Sequence, residues 1–206
     1  MGLTLSQLGL MIATAILLTV VLTFIFFSDW QRNAELTNIV SGFSNMVEGM
    51  DSRYFENTTT YYFPDKGYSY TVTMSTEYIV ASANGNWNNV LSIKKRFLIQ
   101  PLSQSLNNNP DWLTGKAFHQ YLLDTYLHNG SRSDPIHLEN ISQVHSYLNQ
   151  TRTSIQTDLA LQPYSPLLRN GVYIDKVIIY YDTNGDGTWD NEFDEKQDFI
   201  LIYQLI

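Results

Sequence analysis

Residues Leu8–Phe27 read LGLMIATAILLTVVLTFIFF, and no charged side chain precedes Asp29. A helix rises 1.5 Å per residue, so about 20 residues cross the roughly 30 Å hydrocarbon core of a bilayer. Leu, Ile, Val and Phe dominate the run, and each of them favours insertion. The threonine hydroxyls can bond back to the helix backbone. The sequence therefore predicts that this segment lies in lipid and anchors the rest of the chain.

Two other targeting patterns overlap this region. A cleaved secretory signal has a basic start, an apolar run of about 7–15 residues and a small-residue cleavage site. Here the run is longer and no Lys or Arg precedes it. The residues from Met1 to Ser6 also fit the myristoylation pattern. We interpret that match as chance, because a spanning helix follows directly.

Beyond the apolar run, the pattern changes to that of an amphipathic helix. Apolar residues recur every three or four positions, at Leu36, Ile39, Val40, Phe43, Met46, Val47, Met50 and Tyr54. No proline precedes Pro64, so one helix is expected from about Leu3 to about Met50. Residues 1–28 would be its transmembrane half and residues 29–55 its amphipathic half. The apolar stripe of the second half needs a partner.

Residues 56–206 are predicted to form a β-rich globular domain that supplies this partner. Residues 68–74 alternate between apolar and polar side chains, as a strand exposed on one face does. Strands are also expected over 77–81 and 90–99. The last of these contains the basic cluster Lys94-Lys95-Arg96. We interpret it as a cluster on a sheet edge or solvent-exposed face that prevents strands of other molecules from stacking there. The expected fold class is α+β, with a long N-terminal helix packed on an antiparallel sheet.

A two-helix insertion is predicted at about residues 110–162. Asn109-Pro110-Asp111 would open the first helix and Asp134-Pro135 the second, because Pro is favoured in the first turn. The first stripe comprises Trp112, Leu113, Phe118, Tyr121, Leu122 and Leu123. The second comprises Ile141, Val144, Leu148, Ile155 and Leu159. The four histidines, His119, His128, His137 and His145, lie in this insertion without a spacing that forces a metal site.

The N-terminal motif Gly2-Leu3-Thr4-Leu5-Ser6-Gln7-Leu8, running into an apolar helix, resembles the prepilin processing site of type IV pilins and pseudopilins. The resemblance covers about Gly2 to Met50 by motif, and the rest of the chain only by architecture. It implies that Gly2 precedes the cut and that Leu3 becomes the new N-terminus. It also implies a helix that packs with other pilin-like subunits in a filament.

Gln7 stands where that family usually has a glutamate. In the family, this glutamate pairs with the N-terminal amine of a neighbouring subunit inside lipid. Gln7 is thus the expected filament contact, but a neutral amide cannot neutralise an amine. The resemblance therefore implies a minor or tip-like subunit, or an archaeal-type filament that assembles without the pair.

The C-terminus is predicted to be a hairpin of two hydrophobic strands, Val172 to Tyr181 and Phe199 to Ile206. The loop between them holds seven acidic residues and a single lysine, and so carries most of the chain's net charge of −8. Its start, from Asp182 to Gly187, follows the calcium-loop pattern of alternating oxygen ligands and a glycine. The expected Ca²⁺ ligands are Asp182, Asn184, Asp186, Thr188, Asp190, Glu192 and Asp194. A solvated acidic turn is the alternative.

Four glycosylation sequons occur, at Asn57, Asn129, Asn140 and Asn149. Together with a membrane anchor, they favour a domain outside the cytoplasmic membrane. The resemblance to pilins implies that this domain belongs to a cell-surface filament. The sequons and the lack of a charged leader suggest an archaeal origin.

Composition narrows the function. The net charge of −8 argues against nucleic acid as a partner, and the absence of cysteine rules out thiolate catalysis and Cys-based metal sites. No strained nucleophile turn or phosphate-cradling loop is found, so an enzyme is not expected. The prediction is a membrane-anchored pilin-like subunit that acts in assembly or surface contact. The alternative is a signal-anchored extracellular recognition domain that binds calcium and never polymerises; a tethered hydrolase has less support.

Overall fold

A single helix, α1 (Leu5–Asp51), begins the fold in a computed structural model that describes residues 4–86, 89–104, 112–190 and 192–205. It runs without interruption, as the sequence predicts. The backbone N–H of Ser52 donates to the carbonyl of Glu48, that of Arg53 donates to the carbonyl of Met50, and the helix ends there. Tyr54, expected in the apolar stripe, lies beyond this end and is 88% exposed. The stripe therefore stops at Met50.

The other elements follow α1 in chain order. They are β1 (Asn57–Tyr61), β2 (Tyr70–Met74), β3 (Tyr78–Asn84), β4 (Val90–Arg96), β5 (Leu102–Ser103), α2 (Gly115–Tyr126), β6 (Ile136–His137), α3 (Leu138–Leu161), β7 (Val172–Asp182) and β8 (Glu195–Tyr203). The chain is thus α+β, as expected.

The strands form two sheets rather than the single antiparallel sheet that was predicted. One has the order β1-β7-β8-β5, with β6 pairing with β7 as well, and the other is the meander β2-β3-β4. The β5–β8 and β6–β7 pairs are parallel. The β6–β7 pair follows from the connection, because α3 carries the chain back so that β7 starts in the same direction as β6.

Both faces of the β7–β8 hairpin are covered by helices. Lys176 reaches the end of α1, where its Nζ donates to the carbonyl of Asp51. The neighbouring Val177 points the other way, towards the start of α2, and Tyr181 on that side packs edge-on against His145 of α3. A strand buried on both faces reads as a nearly continuous apolar run, and this explains the sequence VIIYY at 177–181.

The second half of α1 supplies one side of this core. Its buried members are Leu36, Ile39, Val40, Phe43, Ser44, Val47 and Met50. The Phe43 ring lies 5.6 Å from that of Phe63, in a stacked arrangement, and 5.2 Å from that of Tyr61, edge-on. A Cβ on Gly42 would come within 3.0 Å of the Tyr61 hydroxyl, so glycine permits β1 to approach closely. The predicted packing of the stripe on strands is confirmed.

The first insertion helix starts later than predicted. Its predicted opening at 109–111 lies outside the described residues. α2 begins at Gly115, and the Oγ1 of its cap, Thr114, accepts from the backbone N–H of Ala117 at 3.0 Å. Trp112 and Leu113, predicted for the stripe of this helix, therefore precede it. Trp112 still joins the core through its ring, 4.6 Å from that of Phe118.

The second insertion helix also starts later, at Leu138 instead of directly after Asp134-Pro135. Ile136 and His137 are extended because they pair with Tyr181 and Asp182 of β7. The stripe itself is confirmed: Val144, Leu148, Ile155 and Leu159 are buried, and Ile141 packs against the core.

The C-terminal hairpin is longer than predicted. β8 begins at Glu195, so residues 195–198, expected in the loop, pair with β7. The Asp198 carboxylate contacts the Nζ of Lys176, whose side chain is buried. Because of this ion pair, an acidic side chain is tolerated within the strand.

The basic cluster lies on β4, which is an edge strand of the meander, as predicted. Lys94 Nζ sits 3.5 Å from the centroid of the Tyr78 ring, while Lys95 Nζ donates to Asn45 Oδ1 at 2.9 Å. Arg96 pairs with Glu77 at 3.8 Å. Each charge thus has a partner within the domain.

Candidate functional sites on the helix and the acidic loop

The first half of α1 has no cover within the described chain. Leu10, Leu17 and Phe24 are 70%, 68% and 72% exposed, and the first fully buried residue of the helix is Leu36. By length and composition, α1 is the one helix among the described residues that is long and apolar enough to cross a membrane. The prediction of a long apolar N-terminal helix, compatible with a membrane anchor, is confirmed.

Gln7 has a local role that was not predicted from the sequence. Its Oε1 accepts from the backbone N–H of Thr4 at 3.0 Å, and Thr4 Oγ1 accepts from the backbone N–H of Gln7 at 3.4 Å. This is a capping box, and the spacing Thr4-x-x-Gln7 is its sequence signature. Among the described residues, the N–H donors of the Gln7 side-chain amide have no hydrogen-bond acceptor, and only its oxygen is engaged. Its filament contact stays a prediction, and the processing residues Gly2 and Leu3 lie outside the described part of the chain.

The acidic loop is folded around Asp182, which is 0% exposed. Asp182 Oδ1 accepts from the backbone N–H groups of Gly185 and Asp186, at 2.7 and 3.1 Å, and its Oδ2 accepts from Gly187 at 2.9 Å. Gly185 and Gly187 have φ angles of +78° and +84°, which glycine adopts without strain. The glycines of the calcium-like pattern thus let three backbone donors converge on one carboxylate.

A second carboxylate closes the loop from the other side. Asp194 Oδ1 accepts from the backbone N–H of Thr183 at 2.8 Å, and its Oδ2 accepts from that of Asp190 at 2.9 Å. Desolvation opposes ionisation of Asp194, but these backbone donors outweigh it and lower its pKa. The hydroxyl and backbone N–H of Thr188 likewise lower the pKa of Asp186. Hydrogen bonds thereby favour the ionised forms of Asp186 and Asp194.

The expected Ca²⁺ ligands share this one loop, but the carboxylate oxygens point mainly to donors of the loop itself. Asp190 Oδ1, for example, accepts from the backbone N–H groups of Glu192 and Phe193, at 2.9 and 3.0 Å. Across the described ranges, no group of three or more His, Asp or Glu side chains is placed to hold a metal ion. The backbone N–H groups that point into the loop offset part of the repulsion between its carboxylates. The sequence had led us to expect a cation in that role. Calcium binding stays a prediction.

The sequons differ in how open they are. Asn149 is exposed on α3, whereas Asn57, Asn129 and Asn140 are half-buried. Asn140 Nδ2 donates to the carbonyl of Tyr126 at 3.2 Å, and Asn129 Oδ1 accepts from the backbone N–H of Ser131 at 2.8 Å. Asn149 is therefore the sequon that the folded domain leaves freest for a glycan.

His119 of α2 uses both of its ring nitrogens for contacts with its surroundings. Its Nδ1 lies 2.6 Å from the carbonyl oxygen of Asn129, and its Nε2 lies 2.7 Å from Glu56 Oε1. A carbonyl oxygen and a carboxylate oxygen both accept, and the doubly protonated ring offers a donor to each of them. Burial alone would lower the pKa of His119, but the bond to Glu56 and the Asn129 carbonyl raise it. Glu56 Oε1 also accepts from the backbone N–H of Ile178, and the set ties α2 to the sheet.

Comparisons with protein-family models, with curated proteins and with solved structures give no match to this chain.

Proposed function

We propose that this chain is a membrane-anchored, pilin-like subunit of a type IV filament or pseudopilus. It would be a minor or tip-like subunit that acts in assembly or surface contact and not in catalysis. The observation that carries the proposal is the division of one 47-residue helix into an uncovered apolar half and a half packed on strands. The prepilin-like residues from Gly2 to Leu8 support it independently.

The uncovered half of α1 requires an apolar environment on all sides. Burying one Leu or Phe side chain contributes about 1.5–3 kcal/mol, so leaving residues 5–27 in water would be strongly unfavourable. Lipid covers the segment while the subunit is in the membrane. Once the subunit leaves the bilayer, only helices of other subunits provide equivalent cover, and packed helices come within about 8–10 Å of each other. The filament core in the proposal is built in this way.

The β-rich domain is placed outside the cytoplasmic membrane in this proposal. The sequons support this orientation, and the exposure of Asn149 leaves a glycan room. The basic cluster is engaged within the chain: Lys94 lies over the Tyr78 ring, Lys95 donates to Asn45 of α1, and Arg96 pairs with Glu77.

The proposal is tested by sequencing the N-terminus of the mature protein, purified from membranes and from sheared surface filaments of its native cell. We expect a start at Leu3 in both fractions, because the prepilin-like motif places the cut after Gly2. Replacing Gly2 with a bulky residue should block the cut, while Ser6→Ala, outside the cut, should not. An intact Met1 together with absence from filaments would favour the signal-anchored recognition domain that does not polymerise.

We also propose that the acidic loop over residues 182–194 takes up one Ca²⁺, with Asp182, Asn184 and Asp186 among its ligands. At an ion concentration a hundredfold above the dissociation constant, binding adds about 2.7 kcal/mol to the free energy of unfolding. We expect a higher melting temperature in calcium than in chelator, and loss of that difference in Asp186→Ala. Asp65→Ala, an exposed acid outside the loop, is the matched control and should keep it. Identical melting temperatures with calcium and chelator, and no heat of binding, would contradict calcium binding. The loop would then be an acidic turn stabilised by its own hydrogen bonds.

A further inference from the structure

The turn between β3 and β4 is hydrogen-bonded to α1 at the end of the apolar run of that helix. Asn86 Nδ2 lies 2.7 Å from Ser28 Oγ and 2.9 Å from Asp29 Oδ1, and it also approaches the carbonyl of Ile25 at 3.3 Å. The backbone N–H of Asn86 donates to Asp29 Oδ1 at 3.0 Å. One asparagine thus holds a full turn of the helix.

A second set of contacts between this turn and α1 lies one helical turn further along the helix. Arg32 Nη1 donates to the carbonyl of Asn84 at 2.9 Å, and its guanidinium lies 5.4 Å from the centroid of the Tyr68 ring. The two sets of contacts, at Asn84 and Asn86, fix the β3–β4 turn against one face of α1. Rotation of the domain about the helix at this level would break both.

These contacts coincide with the level where the helix changes from apolar to polar. Residues 5–27 span about 35 Å at 1.5 Å per residue, slightly more than the hydrocarbon core. Asp29, the first charged residue, is a direct partner of Asn86. Phe27 and Trp30 are exposed nearby, with ring centroids 5.8 Å apart, and aromatic rings of this kind are enriched at membrane interfaces.

We propose that the β3–β4 turn, at residues 84–86 and 89, rests in the phospholipid headgroup layer of the membrane that holds α1. The turn offers asparagine side chains and backbone groups but no charge, which suits a polar, partly hydrated layer. The β-rich domain then sits on the bilayer at a fixed angle, with no flexible tether between them. The proposal rests on the membrane anchoring proposed above.

Because the chain contains no cysteine, single cysteines can be labelled without background. The full chain is inserted into phosphatidylcholine vesicles, and an environment-sensitive fluorophore is attached at Asn89→Cys, Leu17→Cys or Tyr54→Cys. Leu17 reports insertion of the helix. Tyr54 lies just past the far end of α1, and Asp51 at that end is about 33 Å from Asp29 along the helix. Lipids with a nitroxide near the headgroup or deep in the acyl chain serve as quenchers.

We expect headgroup-level nitroxides to quench the label at residue 89, deep nitroxides to quench the label at residue 17, and neither to affect the label at residue 54. Quenching at residue 17 with no difference between residues 89 and 54 would overturn the headgroup proposal and leave the anchor standing. No quenching at either 17 or 89 would overturn the anchor itself.

A second variant tests the hydrogen bonds between the β3–β4 turn and α1. Asn86→Ala, added to Asn89→Cys, should reduce quenching at residue 89, because the turn loses its bonds to Ser28 and Asp29. The same change added to Leu17→Cys should alter nothing. Asn38→Ala, an exposed asparagine on α1, is the matched control. Unchanged quenching at residue 89 in the Asn86→Ala variant would show that these bonds do not hold the turn at the membrane.

Discussion

Deleting residues 1–24 should convert the chain into a soluble monomer that no longer binds vesicles. The described part of the deleted stretch, residues 4–24, is exposed, and the first buried residue of α1 is Leu36. The shortened chain keeps Ile25, Ser28 and Asp29, so the β3–β4 turn retains its partners on the helix. We expect complete loss of co-sedimentation with vesicles and a monomer by light scattering.

The full chain in detergent is the control for this deletion, and its β-rich domain should unfold at nearly the same temperature. Leu17→Arg in the full chain is a milder version, since an arginine at the membrane centre costs about 2.5–3.5 kcal/mol of insertion free energy. Ordered filaments formed by the shortened chain would contradict the proposal that the apolar half of α1 drives assembly.

Phe43→Ala should strongly destabilise the β-rich domain. The Phe43 side chain is 0% exposed and meets the rings of Tyr61, Phe63 and Phe97. Truncating a buried phenylalanine to alanine typically costs about 3–5 kcal/mol, since apolar burial is lost and a cavity remains. We expect urea unfolding of the shortened domain to show a decrease in this range.

Phe55→Ala is the matched control, because it removes the same atoms from a ring that is exposed just after α1. It should change the free energy of unfolding by no more than about 0.5 kcal/mol. Equal losses for the two substitutions would mean that the stripe of α1 does not depend on its aromatic contacts with the strands.

Much of the N-terminal architecture is determined by local sequence. The apolar run at Leu8–Phe27 and the stripe from Leu36 to Met50 are patterns of spacing along one helix, and the helix period alone relates them to a face. The same logic holds for Val144 to Leu159 on α3. The pattern Thr4-x-x-Gln7 is equally local, and it is sufficient to predict the helix cap.

The acidic loop was predictable in position but not in how its charges are satisfied. Gly185 and Gly187 mark the sharp turns by residue type alone. Whether Asp182 faces a cation or backbone N–H groups depends on the path of the loop, and spacing alone is equally compatible with both.

Only the tertiary structure decided which distant segments meet. The two-residue strands β5 and β6 have no periodicity of their own, and they exist because β8 and β7 offer free backbone partners. Asp198 lies within a strand because its carboxylate contacts the buried Lys176 of β7, 22 residues earlier. Asn86 lies in a stretch that predicts only an ordinary turn, since nothing in the local sequence reveals hydrogen bonds to Ser28 and Asp29, 58 and 57 residues away. Local periodicity determines the faces of helices and strands, whereas these pairings arise only when chain folding brings complementary donors, acceptors and charges together.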